Sequence, residues 1–246
     1  MAKALSLLLI PIVKIMKQKT TLLKGNCLDL LKELPDKCID LILTDPPYVL
    51  DNHGGGKKNR ELTRKLQDKH IDPFSHGFDM HSVFGEFERV MKKMNALIFC
   101  SNKQVSSIMS YWEQRKYSTT LLIWQKPNPI PFCNGKHVSE VEFIVYVRGK
   151  KVFFNNNVSM EKKKKVLKFS APSSKKRLHP CEKPIPLLEH LLTIHSQVDD
   201  VVLDTFMGGG STAMACLNMD RKFVGMELDD KYFEITEKRI KNLLDK

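Results

Sequence analysis

Residues 42–48, Ile-Leu-Thr-Asp-Pro-Pro-Tyr, place a carboxylate, two consecutive prolines and an aromatic ring directly after an apolar run. The run from Ile39 to Leu43 reads as a buried parallel strand rather than an alternating edge strand. Each proline fixes φ and lacks an N–H, so the chain must leave the sheet, and leave it stiffly. Asp45, the carbonyls around Pro46 and Pro47, and the Tyr48 ring are thereby held together at the carboxyl end of a strand. In open α/β sheets that is where ligands bind. A plain turn is the competing reading of four such residues.

A second constellation lies near the C-terminus, in the stretch VVLDTFMGGGSTAMAC from Val201 to Cys216. It predicts a strand, a glycine-rich turn and the start of a helix. Glycines let backbone approach a ligand closely, and Ser211 and Thr212 are good helix-start residues. Glu227, 17 residues beyond Gly210, closes the next predicted strand, the position that takes ribose hydroxyls in nucleotide-binding βαβ units. The turn does not match G-x-G-x-x-G, and without a P-loop lysine it suits a nucleoside or a carboxylate better than a triphosphate. Asp204, ahead of the turn, could accept from a ligand's ammonium group.

The elements needed to hold these residues are those of a mostly parallel sheet with covering helices. Strands are predicted at Leu22–Leu23, Ile39–Leu43, Ala96–Cys100, Thr119–Trp124, Glu142–Val147, Val201–Leu203 and Lys222–Met226, seven in all. Helices are predicted where apolar residues recur at helical spacing, at 28–34, 83–91, 187–192 and 233–244. In domain terms, 1–20 is an N-terminal extension and 21–246 the main domain, with its first block at 21–149 and its second at 178–246. Met16 is the expected native start, and the first fifteen residues an upstream extension.

Two segments break the rhythm. Asp51–His70 is glycine-rich and then basic, and 150–177 holds ten Lys/Arg against the single acid Glu161. The 246-residue chain carries a formal charge of +12 and a pI near 9.4, which favours a polyanionic partner. The six cysteines are scattered, without the spacing of a zinc site, so no metal is expected and the thiols are read as reduced in a cytoplasmic protein. Cys100 and Cys216 are expected to serve as small apolar core residues. The apolar stretch 4–13 is too short to span a bilayer, so no membrane association is expected.

The motif DPPY together with FMGGGST resembles the β-class amino-group DNA methyltransferases that use S-adenosylmethionine. HPCEKP, His179 to Pro184, is similar to the H-P-x-x-K-P segment that precedes the cofactor block in that class. LLIWQKPNPIP, VEFIVYV and GMELDDKYFEITEKRI also match, so the resemblance runs from Thr21 to Leu244 with the blocks in the family's order. It implies a Rossmann-like methyltransferase fold with helices on both sheet faces. The implied activity is transfer of a methyl group from S-adenosylmethionine to the N6 amino group of adenine in DNA, on a base flipped out of the duplex. Asp45 and the Pro46 carbonyl would draw on the amino N–H bonds, held rigid by Pro47, and Tyr48 would stack on the base.

The resemblance assigns Asp204, Phe206, Gly208, Gly210, Ser211 and Thr212 to the methionine end of the cofactor and Glu227 to the ribose. Asn26 falls near the adenine, although the family often has Asp there; Asp45 borders the cofactor, and Lys183 is placed near its carboxylate. His179 is as readily structural. DNA contacts are expected from Lys57 and Lys58, and from Lys162, Lys163, Lys164, Lys165, Lys175, Lys176 and Arg177, with 150–177 as a short basic target-recognition insert. Asp at the first motif position favours adenine N6 over cytosine N4, because the N4 relatives more often carry Ser there. A nucleic-acid-binding protein without catalysis is the alternative from another class. Cys181 sits in the wrong block for a C5-cytosine nucleophile, and the zinc-deaminase signature is absent. Monomer, homodimer and a cognate restriction endonuclease all stay open.

Overall fold

The structure is a computed structural model that describes residues 18–47, 80–129, 137–173 and 177–245. Tyr48, Lys57, Lys58, Lys175, Lys176 and the expected extension up to Met16 lie outside the described residues. In chain order the strands are β1 (Thr20–Lys24), β2 (Leu41–Thr44), β3 (Asn95–Cys100), β4 (Ser118–Gln125), β5 (Val141–Arg148), β6 (Val166–Lys168), β7 (Val201–Asp204) and β8 (Lys222–Glu227). The helices are α1 (Cys27–Glu33), α2 (Met80–Val90), α3 (Asn102–Gln114), α4 (Ile185–His195), α5 (Ser211–Asn218) and α6 (Asp230–Leu244).

The strands form one sheet in the order β1-β8-β7-β2-β3-β5-β4-β6, in which β5 alone runs antiparallel to its neighbours. This is the α/β architecture the sequence predicts, with one strand more than the expected seven. The addition is β6, inside the basic stretch read as an insert: Leu167 is buried between exposed Val166 and Lys168, and the three residues pair in parallel with Ile123–Gln125. A three-residue strand among lysines carries too little apolar pattern to be legible. Helix α3 was also missed, because its buried face is built from Gln104, Ile108, Tyr111 and Trp112 rather than from an aliphatic stripe.

Strand pleating divides the core in two. Ile42, Ala96, Ile98, Val145 and Leu203 face α1, α2 and α3, where Phe84, Phe87 and Trp112 pack. Leu41, Leu43, Leu97, Phe99, Ile144 and Val202 face the opposite side, against the leucines of α4 and the small residues of α5. Each fully buried large aliphatic side chain contributes roughly 1.5–3 kcal/mol. Cys100 and Cys216 are both 0% exposed, the core role expected of them.

The topology dictates where a site can form. From β2 the chain moves outward to β3, and from β7 it moves the other way to β8, with β2 and β7 adjacent. A crevice opens at such a switch point beyond the strands' carboxyl ends. Both constellations singled out in the sequence leave the sheet there.

Candidate active site

Strand β2 ends at buried Thr44, after which Asp45, Pro46 and Pro47 carry the chain off the sheet. Because Ile42 pairs with Leu203, Thr44 stands level with the exit of β7. Its hydroxyl donates to Asp204 Oδ1 at 2.9 Å and lies 3.1 Å from Thr205 Oγ1. Asp204 also accepts from the Phe206 N–H at 3.1 Å and, through Oδ2, from Thr212 Oγ1 at 2.7 Å. Buried and bonded on both oxygens, it ties the end of β2, the glycine turn and the first turn of α5 into one unit. Burial pushes its pKa up to about 6, against the pull of those three donors.

The turn after Asp204 is left-handed at Gly208, φ +48°, and at Gly210, φ +77°, where Gly210 caps α5. A Cβ on Gly210 would lie 2.7 Å from Thr236 Cγ2 of α6, and the Thr236 hydroxyl donates to the Gly208 carbonyl at 2.8 Å. Only glycine allows this close approach of turn to helix. Glu227, at the end of β8, accepts from Gly208 N at 2.8 Å and from Asp229 N at 2.9 Å, and burial raises its pKa. Its carbonyl accepts from Gly25 N at 2.9 Å, which brings the β1–α1 loop alongside. Asn26 in that loop caps α1, its Oδ1 accepting from Leu28 N at 2.9 Å, so its amide N–H donors are what remains for a ligand. The strand ends of β1, β8 and β7 thus place Asn26, Glu227 and Phe206–Gly208 side by side.

The HPCEKP segment closes the other side. The Lys183 ammonium, 7% exposed, is ion-paired with Asp45, lies 3.2 Å from Glu142 Oε2 of β5, and reaches the Cys181 carbonyl at 3.4 Å. Burial alone would lower its pKa, but Asp45 and Glu142 outweigh that and hold it above the ordinary lysine value. Where the sequence places Lys183 beside a cofactor carboxylate, the structure has it bridging two protein carboxylates. His179 stacks edge-on against Tyr232 at 4.3 Å and covers the glycine turn, with its pKa lowered to about 4 mainly by burial. That is a packed, neutral imidazole. The Ser211 hydroxyl donates to Glu182 at 3.2 Å, and Arg239 binds both Glu182 Oε1 and the Gly209 carbonyl. Pro184 caps α4 and Pro186 sits in its first turn, where a missing N–H leaves no helix bond unmade.

Several participants were not legible. Thr44, Glu142, Thr236 and Arg239 lie within the matched blocks without a role being read for them, and Gln104 lies outside the blocks, yet its Nε2 donates to the Pro47 carbonyl at 3.2 Å and so braces the proline turn. The Ser101–Gln104 capping box is a sequence pattern that could have located the start of α3, but it carries no sign of Gln104's role as a brace.

The basic residues are distributed differently from the site. Lys162 lines a cavity of about 420 Å³ with Phe169, His190 and Thr193, Lys163 donates to the Asn156 carbonyl at 2.7 Å, and Lys164 pairs with Glu161 at 2.5 Å. The Lys165 carbonyl anchors to Ile123 N, and the Arg177 guanidinium is taken up by the carbonyls of Pro172 and Pro180. Among the described residues no cluster has the makings of a metal site, and no helix is long and apolar enough to cross a membrane.

Residues 39–238 match the family model described as DNA methylase, of the N6/N4 amino-group type. The chain is 27% identical over 234 residues to the type II methyltransferase M2.MboI of Moraxella bovis, covering 88% of this chain and 85% of that one. It is 28% identical over 248 residues to the type II methyltransferase M.HinfI of Haemophilus influenzae, covering 91% and 68% respectively. The crystal structure of an M1.HpyAVI–SAM complex superposes with a TM-score of 0.68 at 26% identity, over 89% of this chain and 99% of that one. With the family match spanning both the DPPY strand end and the glycine turn, the chain belongs to the amino-group DNA methyltransferases, the enzymes that methylate adenine N6 or cytosine N4.

Proposed function

We propose that this protein methylates the N6 amino group of adenine in DNA, with S-adenosylmethionine as methyl donor. The observation that carries the proposal is the meeting of Asp45 with the Asp204–Gly210 turn at the switch point between β2 and β7.

The residues present fit the cofactor. Partly exposed Glu227 keeps acceptor capacity for ribose hydroxyls, and the adjacent Asn26 amide offers donors to an adenine. Phe206, Gly208, Gly210, Ser211 and Thr212 form the turn that would face the methionine end, braced from below by Asp204. When bound, S-adenosylmethionine supplies an electrophilic methyl group on a sulfonium.

The chain's own part is to make a poor nucleophile competent. An exocyclic amino nitrogen is nearly planar because its lone pair is delocalised into the ring. The Asp45 carboxylate and the Pro46 carbonyl, accepting from its two N–H bonds, favour tetrahedral geometry and free the lone pair. The prolines and Gln104 hold that acceptor pair in place, so little reorganisation is needed during reaction. Tyr48 is assigned to stacking on the extruded base, which offsets part of the unstacking cost. After transfer the nitrogen sheds one proton, and neither step forms a covalent enzyme intermediate. Cytosine N4 presents the same NH₂ group, and Asp at the first motif position is what favours adenine.

The test is mass spectrometry of nucleosides from unmodified DNA incubated with S-adenosylmethionine and either wild type or Asp45→Ala. N6-methyladenine with the wild type alone is the expected result. N4-methylcytosine would overturn the choice of base, and equal product from both proteins would overturn the role of Asp45.

A further inference from the structure

Lys183 is surrounded in an unusual way for a buried cation. Its three N–H donors meet three acceptors: a carboxylate oxygen of Asp45, Glu142 Oε2 at 3.2 Å and the Cys181 carbonyl at 3.4 Å. Glu142 in turn gives its other oxygen, Oε1, to Lys126 Nζ at 2.7 Å. Lys126 lies over the Trp124 ring at 5.1 Å and is 15% exposed. The result is a row of alternating charge, Asp45–Lys183–Glu142–Lys126, running from the proposed reaction centre towards the β4 side of the sheet. Four positions far apart in sequence meet because β5 is antiparallel. Its first residues therefore arrive at the carboxyl edge, where Glu142 pairs with Trp124 and Phe143 with Cys100.

We infer that Glu142 is a positioning residue for methyl transfer: it shares the Lys183 ammonium with Asp45, so that Asp45 is held in place without being consumed by its own counter-ion. This rests on the reading of Asp45 as the acceptor of the amino N–H. A buried ammonium with one carboxylate partner forms a tight pair, and the lone pairs of that carboxylate are then directed at the cation. With a second carboxylate opposite, the ammonium is compensated from both sides and Asp45 retains acceptor strength for a substrate N–H. Lys126 fixes Glu142 from behind and keeps it from collapsing onto Lys183.

The groups facing Lys183 are Asp45 from the β2 exit, Glu142 from β5, and Cys181 and His179 from its own segment, with the Phe99 ring at 5.1 Å. Asp204 lies behind Asp45, and Lys126 behind Glu142. Removing the charge of Glu142 therefore takes away one of the two carboxylates that oppose burial and leaves Lys183 to Asp45 as its one carboxylate partner.

The experiment compares wild type, Glu142→Gln, Glu142→Asp, Lys126→Gln and Asp45→Asn. It measures single-turnover rates and steady-state KM values for methyl transfer from S-adenosyl-L-[methyl-³H]methionine to unmodified bacterial genomic DNA at neutral pH. Glu142→Gln, which keeps shape and acceptor but not charge, is expected to slow transfer about tenfold at neutral pH, as for one pKa unit of lost electrostatic support. KM for both substrates stays within about twofold, so the loss falls on the transfer step. Glu142→Asp recovers part of the rate. Lys126→Gln leaves Glu142 opposite Lys183, so its rate falls by less than that of Glu142→Gln; an equal or larger loss overturns the inference. So does a wild-type rate in Glu142→Gln. Retained activity in Asp45→Asn would overturn the underlying reading of Asp45. An inert Asp45→Asn beside an unaltered Glu142→Gln would overturn the role of Glu142 alone.

Discussion

Replacing Gly210 by Ala asks whether the cofactor turn has room for a single methyl group. Gly210 has φ +77°, a region that costs an L-residue roughly 1–2 kcal/mol. The added Cβ would sit 2.7 Å from Thr236 Cγ2 and 2.8 Å from its Oγ1, inside the distance at which something must shift. Thr236 cannot yield cheaply, because it is 0% exposed and its hydroxyl holds the Gly208 carbonyl. Overpacking of this kind costs about 1–3 kcal/mol. The sum is roughly 2–5 kcal/mol, or a melting temperature lower by about 5–15 °C for a domain of this size. Urea unfolding followed by fluorescence of Trp112 and Trp124, both buried, measures it directly. Thr236→Ala alone should cost about 1 kcal/mol for its hydrogen bond. The double variant should then be more stable than the sum of the singles predicts, by about 1–2 kcal/mol, because the contacts with Thr236 Cγ2 and Oγ1 are gone and only the 3.2 Å approach to its Cβ remains. Gly210→Ala within about 0.5 kcal/mol of wild type, or strict additivity in the cycle, would refute the reasoning.

Two further predictions concern charge. Burial raises the Asp204 pKa from 3.8 to about 6, so its ionisation opposes folding. That cost is absent below pH 3.8, grows between the two values and is complete above about 6, reaching roughly 3 kcal/mol. Asp204→Asn should therefore lose about 2 kcal/mol less stability than wild type between about pH 4 and 7.5, as read by denaturant titration at both; parallel pH dependences would show that the buried carboxylate carries no such cost. On the basic stretch, replacing Lys162–Lys165 by Ala should weaken DNA binding alike across sequences. Since Lys163 and Lys164 are already engaged with Asn156 and Glu161, the slope of log K against log salt should fall by about two rather than four. Fluorescence anisotropy at several salt concentrations measures this, and an unchanged slope would remove the segment from the interface.

The strands around both motifs could be read directly because their information is local. Ile39–Leu43 and Val201–Leu203 are short apolar runs, Pro46–Pro47 can only end a strand, and three glycines before Ser-Thr mark a tight turn into a helix. Those signals, with Glu227 at the next strand end, determined the fold class and the family from the chain alone. What the sequence could not decide is which side chains satisfy one another. Asp204 looked available to a ligand, yet three protein donors occupy it. Lys183 looked like a cofactor contact, yet it pairs with Asp45 and Glu142. Glu142 was read only as the start of a strand, since its place beside Lys183 depends on β5 running against the sheet, and β6 was hidden because three residues among lysines show no period. Burial, and the need of each buried polar group for a partner, are properties of the assembled sheet, so the electrostatics around Asp45 were decided only when residues 45, 126, 142 and 183 met at one edge.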